Sequence, residues 1–387
     1  MRVTFRPRWR AISVPTFRSR SRSRRSRART ATLFGFALIV AAQIGLGLAV
    51  ETVKPEWRDP EYGHRIKQLR QLHSEHPGRP LVVAVGSSRT LMGLSPLDTG
   101  FADEPGSPLV YNFGQTGAGP LQLLFTVLRI LDDGVRPEFL LVELFPAALV
   151  GDGPAESLIE TWGPRWNAGD LRRLEPYAED PTRLTRTWVS QRVAPWYSLR
   201  FPLMNHWQPN WLPMSKRQDF MWNNLDPRGW LRYPTMGVPE AERERLIEKA
   251  GDSYRKQLAA FAVGAMSDRA LRDIATRCQR DGIQLAFHVM PEGPAFASWY
   301  SPGVKDRFRT YAAKLSQESG VPVFDASEGF AESEFADSHI CCRAVRHASV
   351  GNWRTNTSKP GLAEFQLGSS CVIFSADVEY SAHAGRN

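Results

Sequence analysis

Residues 31–50, ATLFGFALIVAAQIGLGLAV, constrain this chain more than any other segment: one amide (Gln43), one hydroxyl (Thr32) and no charge. Twenty residues of helix at about 1.5 Å each extend roughly 30 Å, the thickness of a bilayer's hydrocarbon core. A buried core helix is rarely so long and so uniformly apolar. A cleaved signal peptide has an apolar stretch of about 7–15 residues ending in small residues. Here the stretch is longer and the polar ETVKPEWRDPEYG follows it. The expectation is an uncleaved anchor. Arginines before the segment and Glu51 after it predict a cytoplasmic amino terminus and an extracytoplasmic C-terminal domain, a single-pass topology.

The anchor also accounts for the charge. Lys and Arg total 49 against 40 Asp and Glu, a net +9. Residues 1–29 hold eleven Arg and no acid, so the remainder balances as (49 − 11) − 40 = −2. A nucleic-acid binder carries its positive charge on its folded surface, so no nucleic-acid partner is expected. The run SRSRSRRSRAR (19–29) is similar to an arginine–serine tract, and Arg24-Arg25 to a twin-arginine signal. Because the run abuts the apolar span, it reads as a topogenic flank touching anionic lipid. An RNA-binding arm would instead predict a protein released into the cytosol.

The body alternates strand and helix patterns. Val-rich LVVAV after Pro80, then LVYNFG (Leu109 to Gly114), EFLLVELFP (Glu138 to Pro146), IQLAFHVMP (Ile283 to Pro291) and VPVFDAS (Val321 to Ser327), read as buried parallel strands. Helical patterns cover His64 to Glu75, Pro120 to Gly134, Tyr254 to Ala265, Ser267 to Gly282 and Val304 to Gly320. This order implies right-handed crossovers and an α/β sheet covered on both faces. Residues 151–250 interrupt the rhythm with eight of the twelve Trp. They read as an insertion with a small aromatic core of its own, or as a lid or platform that stacks on sugar rings or rests on a membrane. The expected organisation is a basic cytoplasmic flank (1–30), a transmembrane helix (31–50) and a linker with a helix (51–79). Two α/β halves (80–150 and 251–340) then flank the insertion (151–250), and a tail (341–387) follows.

Four short motifs, in order, resemble the SGNH/GDSL hydrolase superfamily, particularly its membrane-anchored members that handle acyl groups on extracytoplasmic polymers. In VAVGSSRT, Gly86-Ser87-Ser88 matches the Gly-Asp-Ser-like turn after the first strand, with Ser88 in the nucleophile position and Ser87 where Asp is usual. In YNFGQTGAG, Gly117 matches the glycine whose N–H joins that of Ser88 in the oxyanion hole, and Gly114 is a plain turn glycine. The third strand departs from the family: VELFPAAL has Glu143 and Phe145 where an oxyanion asparagine is common. Near the end, FADSHI gives Asp337 and His339 as orienter and base, one residue closer than the family's Asp-x-x-His. Ser87 and His288 are the alternatives for nucleophile and base, and Glu292 would line the pocket.

The resemblance implies a three-layer α/β/α flavodoxin-like fold carrying the Trp-rich insertion, and no metal or other cofactor. It also implies a serine esterase or O-acyltransferase acting on a polysaccharide or another acylated substrate. A non-catalytic SGNH-like module for glycan binding or envelope assembly is the alternative. No protein partner can be read from the sequence.

From Ile340 onward the character of the sequence changes, and three of the four cysteines (Cys341, Cys342, Cys371) lie there. Back-translated with GC-rich codons, residues 339–351 read in a neighbouring frame as HLLPGGAARFSR, and 352–363 as QLADEHLEARAR before a stop. That peptide places a histidine at position 340, three after Asp337, followed by an amphipathic helix. The expectation is a frameshift near codon 339, leaving 341–387 as an aberrant tail without fixed structure.

Overall fold

A computed structural model describes residues 20–98, 107–150, 155–232 and 239–341, together with the backbone of three short strands beyond. The chain opens with α1 (Arg20–Leu48). Its apolar stretch falls within the span Ser26–Val53, which among the described residues is the one helix long and apolar enough to cross a membrane. A linker leads to α2 (Pro60–Glu75), where the Asp59 carboxylate accepts the Tyr62 N–H and so caps the first turn.

The α/β body begins with β1 (Leu81–Val85) and α3 (Ser88–Gly93), followed by β2 (Leu109–Asn112), α4 (Pro120–Asp132) and β3 (Phe139–Glu143). The middle of the chain holds α5 (Pro146–Leu149), α6 (Ala155–Trp162), α7 (Ala168–Leu174), α8 (Pro181–Val193), α9 (Pro195–Trp207) and α10 (Phe220–Asn223). Then come α11 (Glu240–Ala259), α12 (Ala265–Asp281), β4 (Gln284–Val289), α13 (Pro294–Ala297), α14 (Val304–Ser319) and β5 (Val323–Asp325). Helix α11 starts at Glu240, inside the stretch expected to be insertion.

The five strands are all parallel, in the order β2-β1-β3-β4-β5. The chain moves one way from β1 to β2 and the other way from β3 onward. Such a reversal leaves a crevice outside the carboxyl ends of β1 and β3, where α/β proteins bind their ligands.

The two sheet faces differ. Leu81, Val83 and Val85 of β1, with neighbours such as Tyr111 and Phe287, join residues of α2, α4, α12 and α14 in one large core. The alternate residues Val82, Ala84, Val110, Leu141, Ala286 and Phe324 form a smaller cluster with Leu94 and Met290, to which no helix contributes. Among the described residues, therefore, a helical layer covers one face of the sheet.

Among the described residues the insertion shows no separate aromatic core. Trp166 enters the main core, 5.1 Å from Phe125, and Trp162 and Trp188 lean on that core half-buried. Trp230 donates its indole N–H to the Met92 carbonyl, while Trp196 and Trp211 are exposed. Trp162, Trp166 and Trp188 thus find their apolar partners outside their own segment.

Of residues 342–387 the structure describes three backbone strands, Arg354–Thr355, Leu362–Leu367 and Ser370–Ser375, paired antiparallel. The expectation of an unstructured tail otherwise falls on residues outside the described ones.

Candidate active site

The turn after β1 is built around a buried carboxylate. Glu143, at the end of β3, accepts the Ser87 N–H at 2.6 Å, the Ser87 hydroxyl at 3.1 Å and the Thr90 hydroxyl at 2.8 Å. Gly86 has to be glycine, because a Cβ there would stand 1.9 Å from Thr90 Oγ1 and 2.5 Å from Glu143 Oε2. Asn112, at the end of β2, donates to the Thr90 and Leu94 carbonyls at 2.7 Å each and ties α3 to the neighbouring strand.

This frame treats the two serines differently. The Ser87 hydroxyl caps α3 by accepting the Arg89 N–H at 3.2 Å while donating to Glu143, so its one proton is committed. Ser88 is the first residue of α3 and half-buried, and neither its hydroxyl nor its N–H bonds to any described residue. A free N–H in the first turn of a helix points along the positive end of the helix dipole.

Behind the turn lies Arg89, 1 % exposed. Its guanidinium donates to the Met290 and Pro291 carbonyls at 2.8 and 2.9 Å, and sits 3.9 Å from Glu143 and 3.8 Å from Glu292. The Phe145 ring covers it, 4.5 Å to the centroid. Burial pushes the Glu292 carboxyl above its ordinary value, opposed by Arg89, and the Tyr300 hydroxyl donates to it at 2.5 Å.

His288 stands across the ladder from Glu143, buried, and among the described residues neither ring nitrogen meets an aligned partner. Burial lowers its pKa to about 4, so the ring is neutral at physiological pH.

Gly117 and Gly114 occupy different surroundings. The loop carrying both packs on the Ser88 turn through the Gln115 N–H, which donates to the Gly86 carbonyl at 2.8 Å. Gly114 touches α3 directly: a Cβ there would lie 2.4 Å from the Leu91 nitrogen. Gly117 is exposed, at φ +72°, with open space around its Cα.

Asp337 and His339 form a pair on the segment that crosses α3. His339 Nδ1 is 3.0 Å from Asp337 Oδ1, yet the ring N–H is off the line a hydrogen bond needs. That oxygen already accepts the His339 and Ile340 N–H groups, at 3.2 and 2.8 Å. Between them Ser338 takes φ +65°, and its hydroxyl accepts the Phe296 N–H. The imidazole lies against the rings of Tyr254 (5.0 Å) and Phe296 (6.2 Å). No hydrogen bond joins it to Ser88. The next residue, Ile340, packs on Leu91 and Met92 of α3.

No protein-family model matches this chain, and no curated protein is significantly similar to it.

The turn, the loop after β2, Glu143 and the Asp337–His339 segment thus meet at α3. Two residues here had no role in the sequence reading: Arg89, and Glu143, noted there only as a departure from the asparagine pattern. A signal for Glu143 was present, since a carboxylate closing an apolar strand is buried and needs paired donors. Among the described residues no group of three or more His, Cys, Asp or Glu side chains is arranged to hold a metal ion.

Proposed function

We propose that the chain is a membrane-anchored, SGNH-like serine esterase or O-acyltransferase acting on acyl groups of an extracytoplasmic glycan or polymer. The observation that carries this reading is the division of labour between two adjacent serines. Ser87 is held by Glu143 and Arg89, while the Ser88 hydroxyl and N–H, at the carboxyl edge of the sheet, meet no partner among the described residues. The strand order β2-β1-β3-β4-β5 is the doubly wound order of flavodoxin-like folds and supports the same reading.

In the proposed reaction Ser88 Oγ attacks the ester carbonyl carbon while a histidine beside Asp337 accepts the hydroxyl proton. The carbonyl electron pair moves to oxygen, which the N–H groups of Ser88 and Gly117 stabilise. Collapse expels the alcohol, which takes the proton back, and leaves an acyl-serine. Water or a glycan hydroxyl then attacks the acyl carbon and gives its proton to the histidine, which passes it to Ser88 Oγ as the acyl–serine bond breaks. The chemistry calls on no metal.

The base is where the frameshift matters. His339 faces Tyr254 and Phe296, whereas position 340 packs on Leu91 and Met92. Those residues follow Ser88 by three and four, and so share its side of α3. A histidine at 340, as the neighbouring frame supplies, would stand on the nucleophile's side of the helix.

The second reading is a non-catalytic module of the same type. It is favoured by the missing hydrogen bond between Ser88 and His339. Hydrolysis of an acetyl ester such as p-nitrophenyl acetate separates the two, using the chain as written, the chain with the neighbouring-frame end, and Ser88→Ala of each. Turnover that depends on Ser88 supports the enzyme; equal rates with and without Ser88 support the module.

A further inference from the structure

The elbow between α8 and α9 reads Val193-Ala194-Pro195-Trp196-Tyr197, five apolar or aromatic residues without a charge. Its larger side chains stand in the open: Val193 is 76 % exposed, Tyr197 68 % and Trp196 45 %. A cluster of this kind on a folded surface marks a contact with something apolar.

The elbow packs on α1, well below the end of its apolar stretch. The Trp196 N–H donates to Gln43 Oε1 at 3.0 Å, and a Cβ on Gly47 would be 3.4 Å from the Pro195 ring. From there α9 runs alongside the end of α1, with Leu199 and Leu203 against Val50 and Trp207 edge-on to Trp57 at 5.1 Å. Arg192 reaches from the elbow back to Glu51, 3.3 Å away. Gln43 precedes Glu51 by eight residues, so the elbow sits about 12 Å below the first charge after the span.

Helix length then decides which solvent the elbow meets. If Gln43 and the elbow stood in water, the helix left to cross the bilayer would be residues 30–42, between Arg29 and Gln43. Those thirteen residues extend about 20 Å, well short of a core of about 30 Å. If α1 spans the membrane, residues 43–50 lie inside it, and so does whatever packs on them.

We infer that the α8–α9 elbow is seated in the bilayer leaflet on the side of the folded domain, with lipid acyl chains around Val193, Trp196 and Tyr197. The domain is then held at two points rather than swinging on a tether. Arg200, one turn up α9, lies over the Tyr197 and Phe201 rings at 4.0 and 4.5 Å, a position suited to a lipid phosphate above the embedded rings. The Gln43 amide oxygen, a costly acceptor in hydrocarbon, is satisfied by the elbow's own backbone. The inference rests on α1 spanning the membrane and is independent of any activity at Ser88.

The test uses the full chain in phosphatidylcholine vesicles, with its four cysteines replaced by serine and nitroxide labels introduced through Val193→Cys, Tyr197→Cys and, as an exposed control, Glu244→Cys. Labels at 193 and 197 are expected to collide several-fold more with oxygen than with a water-soluble nickel chelate, relative to the control. Chelate accessibility equal to the control overturns the inference. Should the cysteine-free chain fail to fold, the native chain serves. Acyl-brominated lipid should quench part of its tryptophan fluorescence, and Trp196→Phe should remove a share of that quenching. An unchanged quenched fraction overturns the inference. Carbonate extraction of the same vesicles reports separately whether α1 spans.

Discussion

Ser87 gives both its N–H and its hydroxyl to the Glu143 carboxylate, at 2.6 and 3.1 Å, and so fixes the turn that presents Ser88. A buried carboxylate with three donors, next to a buried Arg89, acts here as the brace of a strand–turn–helix unit.

Removing that brace should be expensive. Glu143→Ala leaves the Ser87 and Thr90 donors and the Arg89 charge without their acceptor, and is expected to destabilise the fold by about 3–5 kcal/mol. Urea denaturation measures this; a loss under about 1 kcal/mol would mean that Glu143 does not hold the turn.

The two serines should separate in the same assay. Ser87→Ala removes a helix cap and should cost about 0.5–2 kcal/mol. Ser88→Ala removes a hydroxyl with no partner among the described residues and should stay within about 0.5 kcal/mol of wild type. The reverse order would place the structural load on Ser88.

The glycines offer a contrast. Gly86→Ala drives a Cβ into Thr90 and Glu143, and overpacking of this kind costs about 1–3 kcal/mol. At Gly117 the space is open and the cost is that of the left-handed backbone, about 1–2 kcal/mol. Gly86→Ala should also perturb the Ser88 turn, read as lost ester hydrolysis out of proportion to its stability. Gly86→Ala with full stability and activity would contradict the packing described.

Much of this frame was legible in the sequence. The strands lie within the apolar runs after Pro80, and at 109–114, 138–146, 283–291 and 321–327, because parallel strands buried on both faces read as continuous apolar stretches. Helix α4 runs Pro120–Asp132 within the expected Pro120 to Gly134, since Pro120 at its first turn marks the start. The insertion was less legible. Its tryptophans show no period, and their partners Phe125, Trp57 and Met92 come from distant parts of the chain. Arg89 was missed for a related reason: an arginine beside a serine looks like surface until the fold places Met290, Pro291 and Glu292 around it.

His288 gives the fold a pH dependence. The buried folded-state imidazole titrates at about 4, and the unfolded one near 6.5. Between those values the unfolded chain binds the additional proton. The histidine's contribution to stability is therefore intact above about pH 6.5 and lost as pH falls towards 4, by up to about 1.4 kcal/mol per pH unit. Glu292, raised by burial, works in the opposite direction, so the comparison is with a variant. Urea unfolding at pH 7 and near pH 4.5 should show a larger loss for wild type than for His288→Gln; equal losses would contradict a buried, neutral His288.

Fluorophosphonate labelling with peptide mapping reads out whether Ser88 is a nucleophile. In the chain carrying the neighbouring-frame carboxyl end, the probe is expected on Ser88, to persist in Ser87→Ala and to vanish in Ser88→Ala. A folded protein that takes up no probe would leave the non-catalytic reading in place, and uptake at another residue would show that Ser88 is not the nucleophile.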